Sequence, residues 1–112
     1  MKKKLLLLVG IVSMLSLSYS AQAETRKASF KVFGNCGMCE KKIETAAKSV
    51  EGVTLADWDK KTKAMKVSFD TEKTSLDAIH KAIAKVGYDT EKVKASDEVY
   101  NKLHSCCKYE RK

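Results

Sequence analysis

No proline occurs anywhere in the 112 residues, no segment is of low complexity, and no stretch repeats another. At this length the chain holds one domain and no more. Its longest apolar run, Leu5 to Leu17, falls short of the roughly 20 residues that a bilayer-spanning helix needs. There is no acid-free basic arm either. Past the first few residues the lysines are interleaved with Asp and Glu, a solvated surface with a mild positive field. Nothing in that distribution argues for a nucleic-acid partner.

What the short apolar run does resemble is an export signal. Lys2, Lys3 and Lys4 precede it, and Ser18-Tyr19-Ser20-Ala21-Gln22-Ala23 closes it with the small-residue Ala-x-Ala pattern of a cleavage site. We expect residues 1–23 to be removed between Ala23 and Glu24, leaving an exported, periplasmic protein with no stable membrane insertion. No cysteine lies near the cut, so a lipid-anchored start is not expected. Without its three leading lysines the chain carries 19 basic against 14 acidic side chains, a net charge of about +5.

All four cysteines fall in the exported part, as two tight pairs: Cys36/Cys39 and Cys106/Cys107. Export and an even count suggest disulfides. These spacings make poor staples, because a Cys-x-x-Cys bridge closes a tiny loop and a bridge between adjacent cysteines is strained. A metal or thiol exchange explains tight pairs better.

Hydrophobic periodicity lays out the rest. Ala28, Phe30 and Val32 alternate with polar residues, as in a strand. Gly34 and Gly37 bracket a loop. From Cys39, the residues Ile43, Ala46, Ala47 and Val50 recur at helical spacing until Gly52. Val53 to Asp59 and Met65-Val67-Phe69 read as two further strands joined by the turn Lys60–Lys63, with Trp58 and Phe69 in the core. Thr74-x-x-Asp77 resembles a capping box. It would open a second helix whose buried stripe is Leu76, Ile79, Ile83 and Val86 and whose C-terminal cap is Gly87. A short fourth strand is expected at Asp89–Val93. His80 reads as a surface residue, and Tyr100 and Tyr109 have no assigned role.

The order β-α-β-β-α-β predicts an α+β, ferredoxin-like sandwich: an antiparallel four-stranded sheet with two helices on one face. In that topology the loop Gly34–Met38, the turn Lys60–Lys63 and Gly87-Tyr88 meet at one end. The cysteine loop then lies at a tip beside lysines and Tyr88. The expected domain is 24–94, followed by a helical tail, 95–112. A helix of about ten residues starting near Ser96 covers roughly 15 Å, enough to bring Cys106 and Cys107 back to that tip. His104, Cys106 and Cys107 then have three readings: extra ligands at the first pair, a separate acceptor site, or inert packing with Cys106 in the core.

Phe30-x-Val32-x-Gly34-x-Cys36-x-x-Cys39, followed by a helix and then by Lys85-Val86-Gly87-Tyr88, resembles the heavy-metal-associated domain family over about Arg26 to Val93. That family includes small copper chaperones, the N-terminal domains of copper- and zinc-pumping ATPases, and an exported mercury-binding branch. The segment FDTEKTSLDAIHKAIAKVGYDTEKVK, with the export signal, resembles the mercury-binding branch most. The resemblance implies that Cys36 and Cys39 carry a metal ion and that Tyr88 lines the site. One departure is that the family's Met-Thr before the first cysteine reads Gly34-Asn35 here. Met38, between the two cysteines, is expected to point away from the metal.

The chemistry of the pair agrees. Thiolates select soft or borderline ions: Cu(I), Hg(II), Zn(II). A loop entering a helix N-terminus lowers cysteine pKa values, so Cys39 in particular is expected to ionise easily. Two ligands in an exposed loop leave the coordination open to an incoming thiol, which suits transfer rather than storage. The expected function is therefore that of a monomeric, non-enzymatic carrier of a soft ion, Cu(I) favoured. It would pass the ion by thiol exchange to a membrane transporter or efflux component. The alternatives are an Hg(II) or Zn(II) scavenger of the same fold, a structural Zn(Cys)4 site, and a thiol–disulfide oxidoreductase. The last would need a cis-proline facing its cysteines, and this chain has none.

Overall fold

The computed structural model describes residues 24–111. The expected export signal, 1–23, lies outside the described residues. The elements run β1 (Thr25–Lys31), α1 (Gly37–Lys48), β2 (Val53–Trp58), β3 (Ala64–Asp70), α2 (Leu76–Lys85) and α3 (Asp97–Asn101), then a 3₁₀ turn, Ser105–Cys107. The sheet order is β1-β3-β2, antiparallel throughout. Phe30 and Trp58 both pair with Met65, and Ala28 and Ala56 both pair with Val67. This register stacks the alternating apolar residues on one face.

Cys39, Ile43, Ala46 and Ala47 of α1 and Ile79 and Ile83 of α2 close over that face in one core with Phe30, Trp58, Met65, Val67 and Phe69. Each large apolar side chain fully buried there contributes about 1.5–3 kcal/mol. The opposite face carries exposed Lys27, Leu55 and Lys66.

Among the described residues the sheet has three strands, not the expected four. Asp89–Val93 forms a single antiparallel bridge, Val32 to Thr90. The Phe33 N–H donates to Asp89 O at 2.9 Å and the Glu91 N–H to Lys31 O at 3.1 Å. The segment thus holds the expected fourth position beside β1 but cannot extend. Thr90 turns the chain, because its N–H donates to Val93 O at 2.8 Å while its hydroxyl accepts from the N–H groups of Lys92 and Val93. A Thr oxygen that captures following N–H groups offers the backbone an alternative to the sheet ladder.

Two helix boundaries also differ from expectation. The cap of α2 is Ser75, whose Oγ accepts from Ala78 N, rather than Thr74. At its other end α2 closes with Gly87 at φ +110°, where Tyr88 N donates to Ile83 O and Gly87 N to Ala84 O. This paired-bond ending requires a left-handed residue. In the tail, the expected helix of about ten residues is the five-residue α3. Leu103 then leaves helical register to pack on Gly87, where a Cβ would meet Leu103 Cδ2 at 2.9 Å. His104, with extended backbone, restarts the chain as the 3₁₀ turn.

Candidate metal centre

Cys36 is the residue that caps α1, and its extended backbone (φ −134°, ψ 179°) turns the chain from loop into helix. The loop is held from below. The Trp58 indole donates to Val32 O at 3.0 Å and lies so close to Gly34 that a Cβ there would sit 3.0 Å from its ring. From the hairpin, the Lys63 ammonium donates to Gly34 O. Gly34 therefore lets an aromatic ring and a cation brace the loop.

Sγ of Cys36 and Sγ of Cys39 are 3.6 Å apart. The tail returns to the same place. The sulfurs of Cys36, Cys106 and Cys107 all lie within 4.8 Å of one another, and those of Cys106 and Cys107 are 3.9 Å apart. Cys39 neighbours both Cys36 and Cys107. All four are free thiols. His104 is exposed, and its ring is not among the three groups that gather within 4.8 Å.

The pair is asymmetric, and in the opposite sense to the one expected. The Cys36 thiol is lowered to about 7, chiefly by the backbone N–H of Cys39 and next by the Cys39 thiol. Cys39 is fully buried, and burial, with the Cys107 thiol beside it, pushes its pKa up. The helix N-terminus therefore activates the capping residue, while its partner one turn in sits against the core.

Tyr88 is fully buried, and its hydroxyl has no hydrogen-bond partner of good geometry. It faces the thiols of Cys107 and Cys39, and its pKa is pushed far up, first by burial and then by those thiols. Met38 is half exposed beside Lys41 and Lys42 on the outer side of α1.

Beneath the tail, Tyr109 donates its hydroxyl to Gly87 O at 2.9 Å and accepts from Asp89 N at 2.8 Å. Its ring stacks on Tyr88 at 6.0 Å and meets Tyr100 edge-on at 5.1 Å. Tyr100 and Tyr109, unassigned from sequence, are thus the fittings that seat the cysteine-bearing turn. His80 is buried, not on the surface. Its ring lies 4.0 Å from that of Phe30, and its Nδ1 is hydrogen-bonded to Thr90 Oγ1 at 2.6 Å.

A small α+β domain that opens a helix on Cys-x-x-Cys defines a class of soft-metal-binding modules. Residues 29–89 match the heavy-metal-associated domain, and the chain belongs to that family. It is 39% identical over 54 residues to a mercuric transport protein periplasmic component of Shewanella putrefaciens, covering 48% of this chain and 59% of that one. With the copper chaperone CopZ of Staphylococcus aureus it shares 33% identity over 55 residues, 49% of this chain and 81% of that one. Among solved structures, the N-terminal domain of a potential copper-translocating P-type ATPase from Bacillus subtilis, in its Cu(I)-loaded state, superposes with a TM-score of 0.57 at 28% identity, covering 60% of this chain and 85% of that domain. The family match ends at residue 89, so Cys106 and Cys107 lie beyond it.

Proposed function

We propose that this chain binds a soft metal ion, Cu(I) in the first instance, through Cys36 and Cys39 and passes it by thiol exchange to a membrane transporter or efflux component. The observation that carries this reading is the pair of sulfurs 3.6 Å apart where α1 begins, one of them lowered to about 7. A thiol that ionises near neutrality gives up its proton to a metal at little cost. The likeness to a copper chaperone and to a copper ATPase domain supports Cu(I) and a transporter as recipient. We place the protein in the periplasm as a monomer, with 1–23 as a cleaved export signal.

A second reading, carriage of Hg(II), is favoured by the identity to the periplasmic mercuric transport component. Zn(II) is a third candidate for the same donors. Metal analysis of protein purified anaerobically under reducing conditions, followed by competition with a chromophoric Cu(I) chelator, separates these. Cys36→Ser and Cys39→Ser are each expected to lose Cu(I) affinity by several orders of magnitude, because one thiolate of the pair is then missing. Unchanged affinity in either variant would refute the assignment. Multiple turnovers of a dithiol substrate by metal-free protein would support an oxidoreductase instead.

A further inference from the structure

We propose that Cys106 and Cys107 are ligands to the same ion, so that the tail converts an open two-thiolate grip into a site of three or four thiolates. This rests on the reading that Cys36 and Cys39 bind metal, and goes beyond the family match, which stops short of the tail.

The geometry is already in place. In a tetrahedral thiolate site with metal–sulfur bonds of about 2.3 Å, the sulfurs stand about 3.8 Å apart. Here one pair stands at 3.6 Å and the other at 3.9 Å, and Cys36, Cys106 and Cys107 fall within 4.8 Å of one another. Adjacent cysteines are awkward as a complete chelate for one ion, but here each faces a different member of the first pair. Cys106 neighbours Cys36, and Cys107 neighbours Cys39.

A packing role alone does not account for both tail cysteines. Cys107 is buried and would serve as a small core residue, but Cys106 is exposed and still lies within the sulfur group. The Tyr88 hydroxyl is a second, independent observation. It is a buried donor without a well-formed partner, placed beside the sulfurs of Cys39 and Cys107. An orphaned buried hydroxyl is costly. Once those sulfurs are thiolates bound to an ion, they become acceptors for it.

The tail is also fastened for the purpose. Arg111 binds both carboxylate oxygens of Asp89, at 3.0 and 2.9 Å, and donates to Ala95 O at 2.6 Å. With Tyr109 on Gly87 and Leu103 against the same glycine, the turn carrying the cysteines is fixed on both sides. The resulting site has a buried edge, Cys39 and Cys107, and an edge open to solvent, Cys36 and Cys106.

The test is X-ray absorption of the full chain loaded anaerobically with one equivalent of Cu(I). It is compared with Cys106→Ser/Cys107→Ala and with Cys36→Ser/Cys39→Ser, the fold of each checked by circular dichroism. The proposal expects more than two sulfurs around the ion in the full chain and two in the tail variant, with at least about a tenfold loss of affinity. Should the tail variant fail to fold, Cys106→Ser alone, at an exposed position, is expected to remove one sulfur. Two sulfurs and equal affinity in the full chain and tail variants, with binding abolished by Cys36→Ser/Cys39→Ser, would overturn this proposal and leave the proposed function standing. Retention of Cu(I) by Cys36→Ser/Cys39→Ser would overturn both.

Discussion

Arg111 grips Asp89 with two parallel hydrogen bonds, at 3.0 and 2.9 Å, directly after the turn that carries Tyr88. The carboxylate is almost fully shielded and the guanidinium lies over the Tyr100 ring at 4.7 Å. Two-pronged pairs of this kind combine strength with fixed orientation. Asp89→Asn keeps an acceptor for the Ala95 N–H yet discards the charge pairing. We expect Arg111→Ala and Asp89→Asn each to cost about 1–3 kcal/mol. Both should also expose Cys107 to a thiol reagent that reaches it slowly in the parent protein. Thermal melts and timed alkylation with mass mapping measure the two effects. Unchanged Cys107 labelling in both variants would mean that the pair does not hold the turn.

Cys36 and Cys39 are expected to react very differently with iodoacetamide. The thiolate is the nucleophile. The Cys36 rate should therefore climb about tenfold per pH unit below 7 and level off above a midpoint of about 7. Cys39 is buried with its pKa raised, so it should lag at every pH. Cys39→Ser removes one of the thiol interactions that lower Cys36 and should move the midpoint upward. Peptide mapping across pH 5–9 checks this, and equal rates at the two cysteines would contradict it.

Most of the frame could be read from the sequence, because β1, β2, β3 and both long helices declare themselves by period. The misreadings have local causes. Apolar spacing in α2 picks out Leu76, Ile79, Ile83 and Val86, yet His80, four residues after Leu76, lies on the same face and is buried. Val86, beyond the helix, is exposed. A polar residue at a core position is easily assigned to the surface when its partner, here Thr90, is ten residues away in a turn. The fourth strand failed for a reason invisible to alternation, the capture of the following N–H groups by the Thr90 hydroxyl. In the tail, helical spacing pointed toward the cysteine tip, but the path is a short helix and a 3₁₀ turn. Its course is dictated by Leu103 on Gly87 and by Tyr109, contacts no local pattern encodes. The activated thiol is Cys36 rather than Cys39, because burial at Cys39 outweighs the favourable end of the helix.

His80 is expected to make the fold sensitive to acid. Burial lowers its pKa below the ordinary value, Lys92 adds to this, and Glu91 and Asp77 oppose it. A base whose folded pKa is depressed favours the folded state above its unfolded pKa of about 6.5, and that stability is lost as pH falls from there toward the folded pKa. The loss approaches about 1.4 kcal/mol per pH unit for one group. His80→Phe keeps a ring against Phe30 and removes the titration. The fall in denaturation midpoint from pH 7.5 to pH 5 should therefore be smaller in the variant than in the parent. Parallel pH profiles in parent and variant would show that the pKa of His80 does not differ between the folded and unfolded states.

The exposed edge should set how the ion leaves. Among the four sulfurs, solvent reaches Cys36 and Cys106, while Cys39 and Cys107 are buried. An incoming thiolate must therefore approach the Cys36–Cys106 side, adding to the ion as one of those two is displaced. Release of Cu(I) from the full chain is expected to rise in proportion to the concentration of a competing thiol, because exchange is associative. Cys106→Ser removes one holding ligand without uncovering the buried edge, so release should be faster than in the parent with the same dependence on competitor. Arg111→Ala frees the whole turn and should accelerate release further. Stopped-flow transfer to a chromophoric Cu(I) chelator, in the presence of graded glutathione, measures all three. A rate independent of competitor would indicate that opening of the tail, rather than attack at the edge, controls release, and Cys106→Ser would then leave the rate unchanged while Arg111→Ala still raised it.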